Sequence, residues 1–546
     1  MPAQVATPAC RFAVVTAATA LLACVACAAA AAETPAASAP PQQQAAKFDI
    51  QEFRVLGSHL LPTRTIERAV YPSLGPGRDI NDVKKASEML EKAYKDAGYG
   101  TVFVDIPEQT VDDGIVRLKV TEGTLERVRV RGERYFSGRQ IRASLPALVP
   151  GQTPQLQTLQ DELTALNART ADRTVTPVLK AGTQPGTVDV DLVVKDKLPL
   201  HGFLQVDNRH TTDTTPNRAT ASVSYDNLWQ RQDSVSVLYQ TAPADTSEAS
   251  VESANYYAHA GQSGALVNLS YIHTSSNSPA LGTLGVLGKG PIYGAHWIQP
   301  VVSTAESTIS FNLGADYKDV ITDVFPDVTA TSPAGTIVTA PVRYVNWSLN
   351  YSQAWRATAH TYDLGLGVGF GVPDVINTPG EFENARAFAP PGYFYLRLSG
   401  DATQKLPAGF TLLGRLSGQW SANPLVNNEQ FAIGGIDTVR GYFVAEVLGD
   451  SGAAGTLELH TPPLGHFGAT LSPLYGLLFV DGGVATLLDP LPGQTYDFHL
   501  WSTGVGLRLE NASGLTGEFD VAVPGANGPR TPKNDTTVDF SVRYGF

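Results

Sequence analysis

One arginine and one aspartate stand out among the charged residues of the sequence. Arg440 lies in Val439-Arg440-Gly441-Tyr442, and Asp481 lies about forty residues later in Phe479-Val480-Asp481-Gly482-Gly483. Each is a single charge among apolar, aromatic or tiny side chains, and the glycine beside Arg440 lets the backbone turn tightly and approach a wall. A confined charge costs several kcal/mol unless an opposite charge pairs with it. The sequence therefore predicts an Arg440–Asp481 ion pair, although an arbitrary arginine would more often lie in a flexible surface loop.

The sequence lacks the usual motifs of enzymes and of metal or nucleotide sites. G-x-S-x-G, H-E-x-x-H and a P-loop do not occur. The alternating glycines of residues 365–371 look like a nucleotide fingerprint, but no helix pattern follows them, and they fit tiny side chains on one face of a strand. His201 with His210, or His460 with His466, could be combined as metal pairs, but strand and loop histidines are usually solvated. We therefore predict no catalytic residue, no metal and no cofactor.

The composition excludes other classes of protein. The 546 residues include 52 Asp+Glu and 39 Lys+Arg, and the formal net charge is -13. Without a basic run, nucleic-acid binding is not expected. The length exceeds one ordinary domain, and 51 glycines with only 2 methionines favour strands and turns over helices. After the N-terminal region, no stretch approaches the roughly 18 apolar residues of a transmembrane helix.

Residues 1–32 are predicted to be a cleaved signal peptide. An apolar, alanine-rich stretch follows Arg11 and ends in small residues. Two alternatives remain open: an uncleaved anchor, and lipidation at Cys24, because Leu21-Leu22-Ala23-Cys24 resembles a lipoprotein box. All 3 cysteines lie in this region, so the cleaved chain would have neither disulfides nor thiol chemistry. An Ala/Pro/Gln-rich linker is predicted at residues 33–47.

Two similar modules come after the linker, at residues 48–123 and 124–198. Phe53-Arg54-Val55-Leu56-Gly57 returns about 75 residues later as Val128-Arg129-Val130-Arg131-Gly132. In both modules this strand precedes a short helix candidate, a longer helical pattern and two alternating strands. The first long helix is predicted to end at Gly98, as a C-cap. The order β-α-α-β-β, given twice, predicts a small α+β domain used in tandem.

From residue 199 to 546 helical spacing disappears, and segments with period-two alternation succeed one another. About sixteen such strands fit this length, at about 22 residues for each strand with its connection. In the last strand Phe540, Val542, Tyr544 and Phe546 share one face, and a terminal phenylalanine is typical of outer-membrane barrels. A soluble sandwich would also alternate, but it would not explain the signal peptide, the absence of cysteine and the even spacing together. We predict a transmembrane β-barrel of about sixteen antiparallel strands, with a long loop at about residues 422–453, preceded by two periplasmic α+β domains.

These features together resemble the superfamily of polypeptide-transporting outer-membrane barrels. Within it the chain is most similar to the two-partner secretion transporters, the TpsB proteins of the ShlB/FhaC/HecB type. The resemblance implies that the modules are POTRA domains, that the Val439–Tyr442 motif tips a loop folded into the pore, and that Arg440 contacts Asp481 on the barrel wall. Further residues of this sequence match the family motifs: Phe479 and Gly483 in the wall motif, and Phe431, Gly434, Gly435, Gly449, Asp450 and Glu458 around the loop motif.

The resemblance also implies a function and a set of partners. The POTRA domains would capture an unfolded exoprotein in the periplasm, and the barrel would secrete it by the type Vb route. The exoprotein would be a large TpsA-like, β-helical protein with an N-terminal secretion domain, such as an adhesin or a haemolysin. The barrel assembly machinery would insert the chain by its C-terminal signal (Phe540, Val542, Tyr544 and Phe546), among outer-membrane lipid and lipopolysaccharide.

One departure from the family and three other functions bear on this hypothesis. Relatives often carry an N-terminal helix that plugs the pore, but the linker is short and Pro/Gln-rich, so we expect no plug helix and the folded-in loop as the main obstruction. An outer-membrane assembly factor of the same superfamily is the alternative, although such factors carry more modules. A passive porin would not need periplasmic modules, and an enzyme lacks any supporting motif.

Overall fold

The computed structural model describes residues 47–111, 113–212, 214–246, 248–261, 264–275, 288–304, 306–324, 338–467, 472–510 and 513–546. The predicted signal peptide, its alternatives at Cys24 and residues 33–46 of the predicted linker lie outside the described residues. The chain separates into two compact units, Met1–Tyr94 with Phe103–Thr121, and Lys95–Val102 with Glu122–Phe546. Within the described ranges, none of the helices combines the length and the apolar character needed to cross a membrane.

The first module has the predicted β-α-α-β-β order with one small addition. Its elements are β1 (Phe48–Ile50), β2 (Glu52–Leu56), α1 (Thr63–Val70), β3 (Gly75–Arg78), α2 (Ile80–Asp96), β4 (Val102–Asp105) and β5 (Ile115–Glu122), with a 3-10 turn at Tyr71–Ser73. The sheet order is β2-β5-β4, and β2 runs parallel to β5. The added pair β1–β3 was not predicted. Helix α2 buries Val83, Ala86 and Leu90 against this sheet, as its spacing indicates.

The second module repeats the order without the addition. Its elements are β6 (Thr124–Arg131), α3 (Gly138–Ala143), α4 (Leu156–Ala168), β7 (Arg173–Ala181) and β8 (Thr187–Asp196). The sheet order is β6-β8-β7, with β6 parallel and β7 antiparallel to the central β8. The core lies between this sheet and the helices, and contains Leu125, Val128, Ile141, Leu159, Leu163, Leu166, Val190 and Leu192. Edge strand β7, with 9 residues, is longer than the corresponding edge strand β4 of the first module, with 4.

The glycines that follow β2 and β6 are required for the same structural reason. Gly57 and Gly132 have φ of 80° and 90°. A Cβ atom at Gly57 would lie 2.5 Å from the carbonyl oxygen of Val120, and one at Gly132 would lie 2.5 Å from that of Val194. No other residue fits this conformation and this contact. The repeated sequence pattern therefore reflects the same backbone turn in both modules.

A half-buried carboxylate fixes the turn before α3. Asp196 accepts hydrogen bonds from the backbone N–H groups of Arg134 (2.9 Å), Tyr135 (2.8 Å) and Phe136 (3.1 Å). Burial acts to raise the pKa of Asp196, but these bonds favour the ionised form more strongly and hold the pKa below its usual range. The turn is thus held by a charged group at neutral pH.

Residues from 200 onward form a closed antiparallel barrel, which confirms the predicted fold class. The elements are β9 (Leu200–Asp207), β10 (Arg218–Leu228), β11 (Asp233–Thr241), β12 (Ser250–Ala260), β13 (Ala265–Thr274), β14 (Gly290–Ser303), β15 (Ser307–Val324), β16 (Val338–Arg356), β17 (His360–Gly371), α5 (Pro379–Ala385), β18 (Phe394–Lys405), β19 (Thr411–Ser421), β20 (Phe431–Ile433), β21 (Val447–Gly449), β22 (Ser451–His460), β23 (Gly465–Phe467), β24 (Ser472–Thr486), β25 (Asp497–Glu510), β26 (Leu515–Pro524) and β27 (Thr537–Gly545).

Sixteen long strands build the wall, since β20 pairs only with β21, and the short β23 pairs only with β24. Strand β27 closes the barrel on β9, where Val542 lies opposite Val206. The Gly202 N–H donates to the Phe546 oxygen at 3.0 Å, and the Phe546 N–H donates to the Gly202 oxygen at 2.9 Å. The last residue of the sequence therefore forms part of the closing seam.

The outer face of the wall carries a broad apolar band. Its exposed side chains include Leu204, Val206, Val223, Val237, Leu269, Leu313, Leu349, Leu366, Leu396, Leu416, Leu478, Val505, Phe519 and Val542. Most of them alternate along their strands with small or polar residues on the inner face, although Leu478 lies between the inward Leu477 and Phe479. This alternation is typical of barrels that face lipid outside and water inside.

Contacts with the second module orient the barrel. The Ser137 N–H donates to Gln230 Oε1 at 2.8 Å, and Gln230 Nε2 donates to the Tyr135 oxygen at 3.0 Å. Gln230 lies in the turn between β10 and β11, so this end of the barrel is the module end. Successive strands of the wall run in opposite directions, so the connections alternate between the two ends of the barrel. Connections 372–393 and 422–450 therefore lie at the end opposite the second module.

Candidate functional site in the barrel lumen

The connection between β19 and β22 folds into the barrel, and we call residues 422–450 the pore loop. Its two ends are joined by the antiparallel pair β20–β21. Leu478, Val480 and Val484 of β24 are exposed on the outer face, so the residues between them point inward. The pore loop packs on that inner face in a cluster of Ile433, Val439, Tyr442, Val447, Ala454, Ala485 and Leu500.

The structure brings Arg440 and Asp481 together at the tip of the pore loop. Arg440 Nε donates to Asp481 Oδ2 at 2.7 Å, and Nη2 donates to Oδ1 at 2.8 Å. The backbone N–H of Arg440 donates to the same carboxylate at 3.1 Å. Arg440 is 2% and Asp481 1% exposed. A bidentate, charge-assisted contact of this kind fixes both distance and orientation.

Two further carboxylates surround the same guanidinium. Arg440 Nη1 lies 2.8 Å from Glu458 Oε1 on β22 and 3.6 Å from Asp520 Oδ2 on β26. Asp520 is in turn held by both Nη groups of Arg508, at 2.7 and 2.8 Å. His460 Nε2 lies 2.7 Å from the second oxygen of Glu458. Arg440 is thus bound to three strands of the wall, and the buried carboxylates are shared by two guanidiniums and an imidazole.

The other residues of the two motifs provide the space and the apolar contacts of this pair. Gly441 has φ of 90°, and a Cβ atom there would lie 3.2 Å from Ala522. Phe479 places its ring under the guanidinium carbon of Arg440, at 3.5 Å from the ring centroid. The Tyr442 hydroxyl lies 2.9 Å from the Ala526 oxygen and 3.0 Å from the Trp501 oxygen. Both motifs therefore meet at one place in the lumen.

The residues predicted to support the loop lie at its base. Phe431 begins β20 and packs against the buried cluster of the pore loop. Gly434 and Gly435 come next with φ of 109° and 92°, where the chain leaves the β20–β21 pair. A Cβ atom at Gly483, on the wall, would lie 2.9 Å from Val439 Cγ2. The side chains of Val439 and Ile433 in the loop thus lie so close to the wall that only glycine fits at position 483.

The predicted C-terminal signal lies away from this site. Val542, Tyr544 and Phe546 are exposed on the outer face of β27, and Phe540 on the same face is half-buried. They contact the lumen site neither through hydrogen bonds nor through the apolar clusters of the described residues.

The histidines considered for metal binding have other partners in the structure. His201 Nε2 lies 2.8 Å from Asp172 and 3.6 Å from Asp226, and the three donor atoms lie within 4.8 Å of one another. Lys197 Nζ lies 3.1 Å from the other oxygen of Asp172. Burial acts to raise the pKa of Asp172, but His201 and Lys197 outweigh it and lower the pKa. A divalent cation would therefore compete with a lysine already in place.

The remaining histidines are separate from that group. His210 stacks edge-on against Phe443 at 5.3 Å between ring centroids, and His460 belongs to the Arg440 site. The side chain of His466 lies outside the described residues.

Sequence reasoning missed several residues of the site. Asp520 and Arg508 carry the charge network beyond Arg440, Arg386 binds Asp450 at the end of the pore loop, and Glu429 of the loop binds the barrel wall. Asp520 and Arg508 lie at inward positions of their strands, but these strands also carry Asp497, Glu510 and Glu518, so the sequence pattern did not single the two residues out. Arg386 lies in a connection without periodicity, so no sequence pattern indicated that it would point into the barrel.

Comparisons with known proteins agree with this architecture. The family model described as haemolysin secretion/activation protein ShlB/FhaC/HecB matches residues 186–509, and the model of the ShlB-type POTRA domain matches residues 48–123. The outer membrane transporter CdiB of Dickeya dadantii (strain 3937) is 25% identical over 484 residues, covering 85% of this chain and 81% of that protein.

A second relative and a solved structure extend the comparison. The heme/hemopexin transporter protein HuxB of Haemophilus influenzae (strain 86-028NP) is 21% identical over 501 residues, covering 88% of this chain and 84% of that protein. The structure of CdiB from Escherichia coli matches with a TM-score of 0.58 at 18% identity, covering 94% of this chain and 93% of that one, and so shares the fold. Because the family model spans more than half of the sequence, the chain belongs to the ShlB/FhaC/HecB family of two-partner secretion transporters, which lie in the outer membrane with their POTRA domains in the periplasm.

Proposed function

We propose that this chain captures one unfolded exoprotein in the periplasm through its POTRA domains and secretes it through the barrel. The observation that carries the proposal is the buried Arg440–Asp481 pair, which holds the pore loop across the lumen at a defined position. The periplasm offers no ATP and the sequence has no P-loop, so transport draws on binding and on folding of the exoprotein outside the cell. The exoprotein is TpsA-like, large and β-helical, and its N-terminal secretion domain is the part that is captured.

Capture by strand addition requires an open sheet edge, and much of the edge in both modules is occupied. In the first module the Val104 N–H donates to Glu91 Oε1 at 3.0 Å, and Ser87 Oγ donates to the Val104 oxygen at 2.7 Å. In the second module Asn167 makes both bonds to Val175, at 2.8 and 3.0 Å. The long helices thus cover β4 at Val104 and β7 near its N-terminal end, at Val175, which protects these edges from unwanted pairing.

The C-terminal half of β7 is the place on this edge that best fits strand addition. Val175 directs its backbone groups away from β8, so Pro177, Leu179 and Ala181 direct theirs the same way. Pro177 has no N–H to donate, which limits pairing to the part of the edge that starts at Leu179. Val178 and Leu179 are 37% and 39% exposed. We assign the capture of an extended apolar segment to this short stretch.

A charged cavity beneath the loop tip would receive the chain next. Its volume is about 460 Å³, and its lining includes Arg209, Arg415, Arg440, Glu458, Arg508, Glu510 and Glu518. Because this lining carries charges of both signs, it would not bind any one polypeptide sequence strongly. Weak binding of this kind allows a polypeptide to pass through. The pore loop forms the far side of this cavity, so its position decides whether the chain can pass.

Replacing Arg440 tests the proposal. Arg440→Ala leaves Asp481 buried without its cation, and loss of one partner from a buried pair costs about 3–5 kcal/mol. We expect the loop to lose its position and secretion to fall about tenfold or more, while barrel assembly stays normal. The measurement compares exoprotein in the medium with heat-modifiable barrel in the outer membrane.

The matched control is Arg356→Ala. Arg356 pairs with Asp363 at 2.6 Å, but both side chains are nearly half exposed, so the pair contributes little. Secretion by this variant should equal that of the unmodified protein. An Arg440→Ala barrel that inserts normally and secretes at full rate would refute the role of the loop.

A further inference from the structure

A second connection, residues 372–393 between β17 and β18, also enters the barrel. It carries helix α5, which Thr378 caps by accepting from the Glu381 N–H. Phe382 is fully buried, and its ring centroid lies 5.3 Å from that of Tyr344 on β16. Trp347 on the same strand is exposed on the outer face, so Tyr344, an odd number of positions away, points inward. Helix α5 therefore lies in the lumen.

Arg386, just after α5, joins this segment to the end of the pore loop. Its Nη1 donates to Asp450 Oδ1 at 2.9 Å, and its Nη2 donates to Oδ2 at 2.7 Å. The same Nη2 donates to the backbone oxygen of Leu488 at 2.9 Å. Asp450 is 0% exposed. This is a second bidentate pair, separate from the one at Asp481.

Asp450 receives three more hydrogen bonds. The N–H groups of Leu425 and Leu488 donate at 2.8 and 2.7 Å, and Gln430 Nε2 donates at 3.1 Å. The donors come from three connections: segment 372–393, the pore loop, and the link between β24 and β25. One carboxylate thus holds three connections together at the end of the barrel remote from the second module.

The start of the pore loop has a buried carboxylate of its own. Glu429 is 1% exposed and accepts from the hydroxyls of Tyr344 (2.7 Å) and Tyr395 (2.9 Å), and from Lys318. These partners belong to three strands of the wall. The pore loop is therefore held at its start by Glu429 and at its tip by Arg440, both to the wall, and at its end by Asp450 to segment 372–393.

We propose that Arg386 is a positioning residue that locks segment 372–393 onto the pore loop as a second constriction of the pore. While Arg386 binds Asp450, the pore loop and the segment close the lumen together. Opening requires this pair to separate, whatever happens at Arg440. Passage of an exoprotein through this constriction rests on the proposed function, whereas closure of the pore by the pore loop and segment 372–393 does not.

The experiment measures ion conductance of the full-length protein in planar bilayers of phosphatidylethanolamine and phosphatidylglycerol. Arg386→Ala leaves Asp450 buried without its cation, which destabilises the closed arrangement. We expect the open probability to rise about tenfold, equivalent to about 1.4 kcal/mol. Asp450→Asn should have a similar effect, and the double variant should add little, because both changes remove one contact.

Arg386→Lys and Arg356→Ala complete the set. Lysine keeps the charge but cannot make the bidentate contact with Asp450. The open probability of the Arg386→Lys variant should therefore lie between those of the alanine variant and the unmodified protein. Arg356→Ala removes an exposed pair and should leave conductance unchanged. Unmodified conductance in an assembled Arg386→Ala barrel would overturn the proposal. If that variant does not assemble, the same result in Arg386→Lys and Asp450→Asn would overturn it.

This readout needs no exoprotein, so it separates the two proposals. Raised conductance in Arg386→Ala with normal secretion by Arg440→Ala would retain the second constriction and reject the role of the loop tip in transport. Lost secretion in Arg440→Ala with unchanged conductance in Arg386→Ala would retain the role of the loop tip in transport and reject the second constriction.

Discussion

At the scale of single residues, the site depends on how closely the loop tip approaches the wall. Three carboxylates from β22, β24 and β26 meet Arg440, and its guanidinium also lies on the Phe479 ring. The backbone of the loop must come within contact distance of β24 for these bonds to form. Gly483 permits that approach, because a Cβ atom there would lie 2.9 Å from Val439 and 3.3 Å from Ile433.

Gly483→Val should push the pore loop away from β24. Inserting a branched side chain into a packed contact costs about 1–3 kcal/mol, which here opposes loop docking. We expect reduced secretion and faster cleavage of the loop by external protease. Gly482→Val is the control, since no atom lies within 4 Å of a Cβ at Gly482. Equal behaviour of the two variants would contradict the close-approach argument.

At the scale of elements, the two modules share one way of protecting a sheet edge. A side chain of the long helix binds the backbone of the edge strand at Val104 and again at Val175. The modules differ in the length of this edge strand, because β4 has 4 residues whereas β7 has 9. Of these two strands, β7 continues well past its covered part and β4 does not, which favours β7 over β4 as the pairing edge in the proposed capture.

Leu179→Pro tests whether that edge is used. The Leu179 N–H points away from β8, so proline removes an outward donor and leaves the β7–β8 ladder intact. Each lost backbone bond is worth about 0.5–1.5 kcal/mol, so the Kd for the exoprotein's secretion domain should rise about two- to tenfold. Leu179→Ala keeps the N–H and isolates the contribution of the side chain. Unchanged binding by the proline variant would exclude pairing at Leu179.

At the scale of the whole molecule, the fold is that of the ShlB/FhaC/HecB family of two-partner secretion transporters, to which the chain belongs. Two periplasmic modules and a pore occupied by the chain's own segments favour transport of one partner. The net charge of -13 and the absence of a basic run give no reason to expect nucleic acid as cargo.

Deleting the protein in its source bacterium should remove one large protein from the culture medium. We expect the other outer-membrane barrels to keep their abundance, because a dedicated transporter serves one exoprotein. Mass spectrometry of medium and outer membrane measures both and identifies the cargo. A general fall in barrel abundance would instead indicate an assembly factor.

The sequence identified most strands, and the exceptions have a physical reason. Strands β9, β12 and β14 show no clear alternation in the sequence, because β12 is rich in small residues, β14 contains two prolines and β9 holds a glycine and a histidine. Helix α5 was also missed. It has 7 residues, and its formation depends on burying Phe382 against Tyr344 rather than on its own periodicity.

The sequence by itself determined the module order, the barrel and the contact of Arg440 with Asp481. Alternation and helical spacing are local properties, and an inward charge in an apolar strand requires a partner wherever the chain closes. Only the tertiary structure decided which carboxylates share Arg440, and that segment 372–393 turns inward to meet Asp450. The direction in which a connection folds depends on contacts such as Arg386 with Asp450, whose partners lie 64 residues apart, and local pattern carries no information about them.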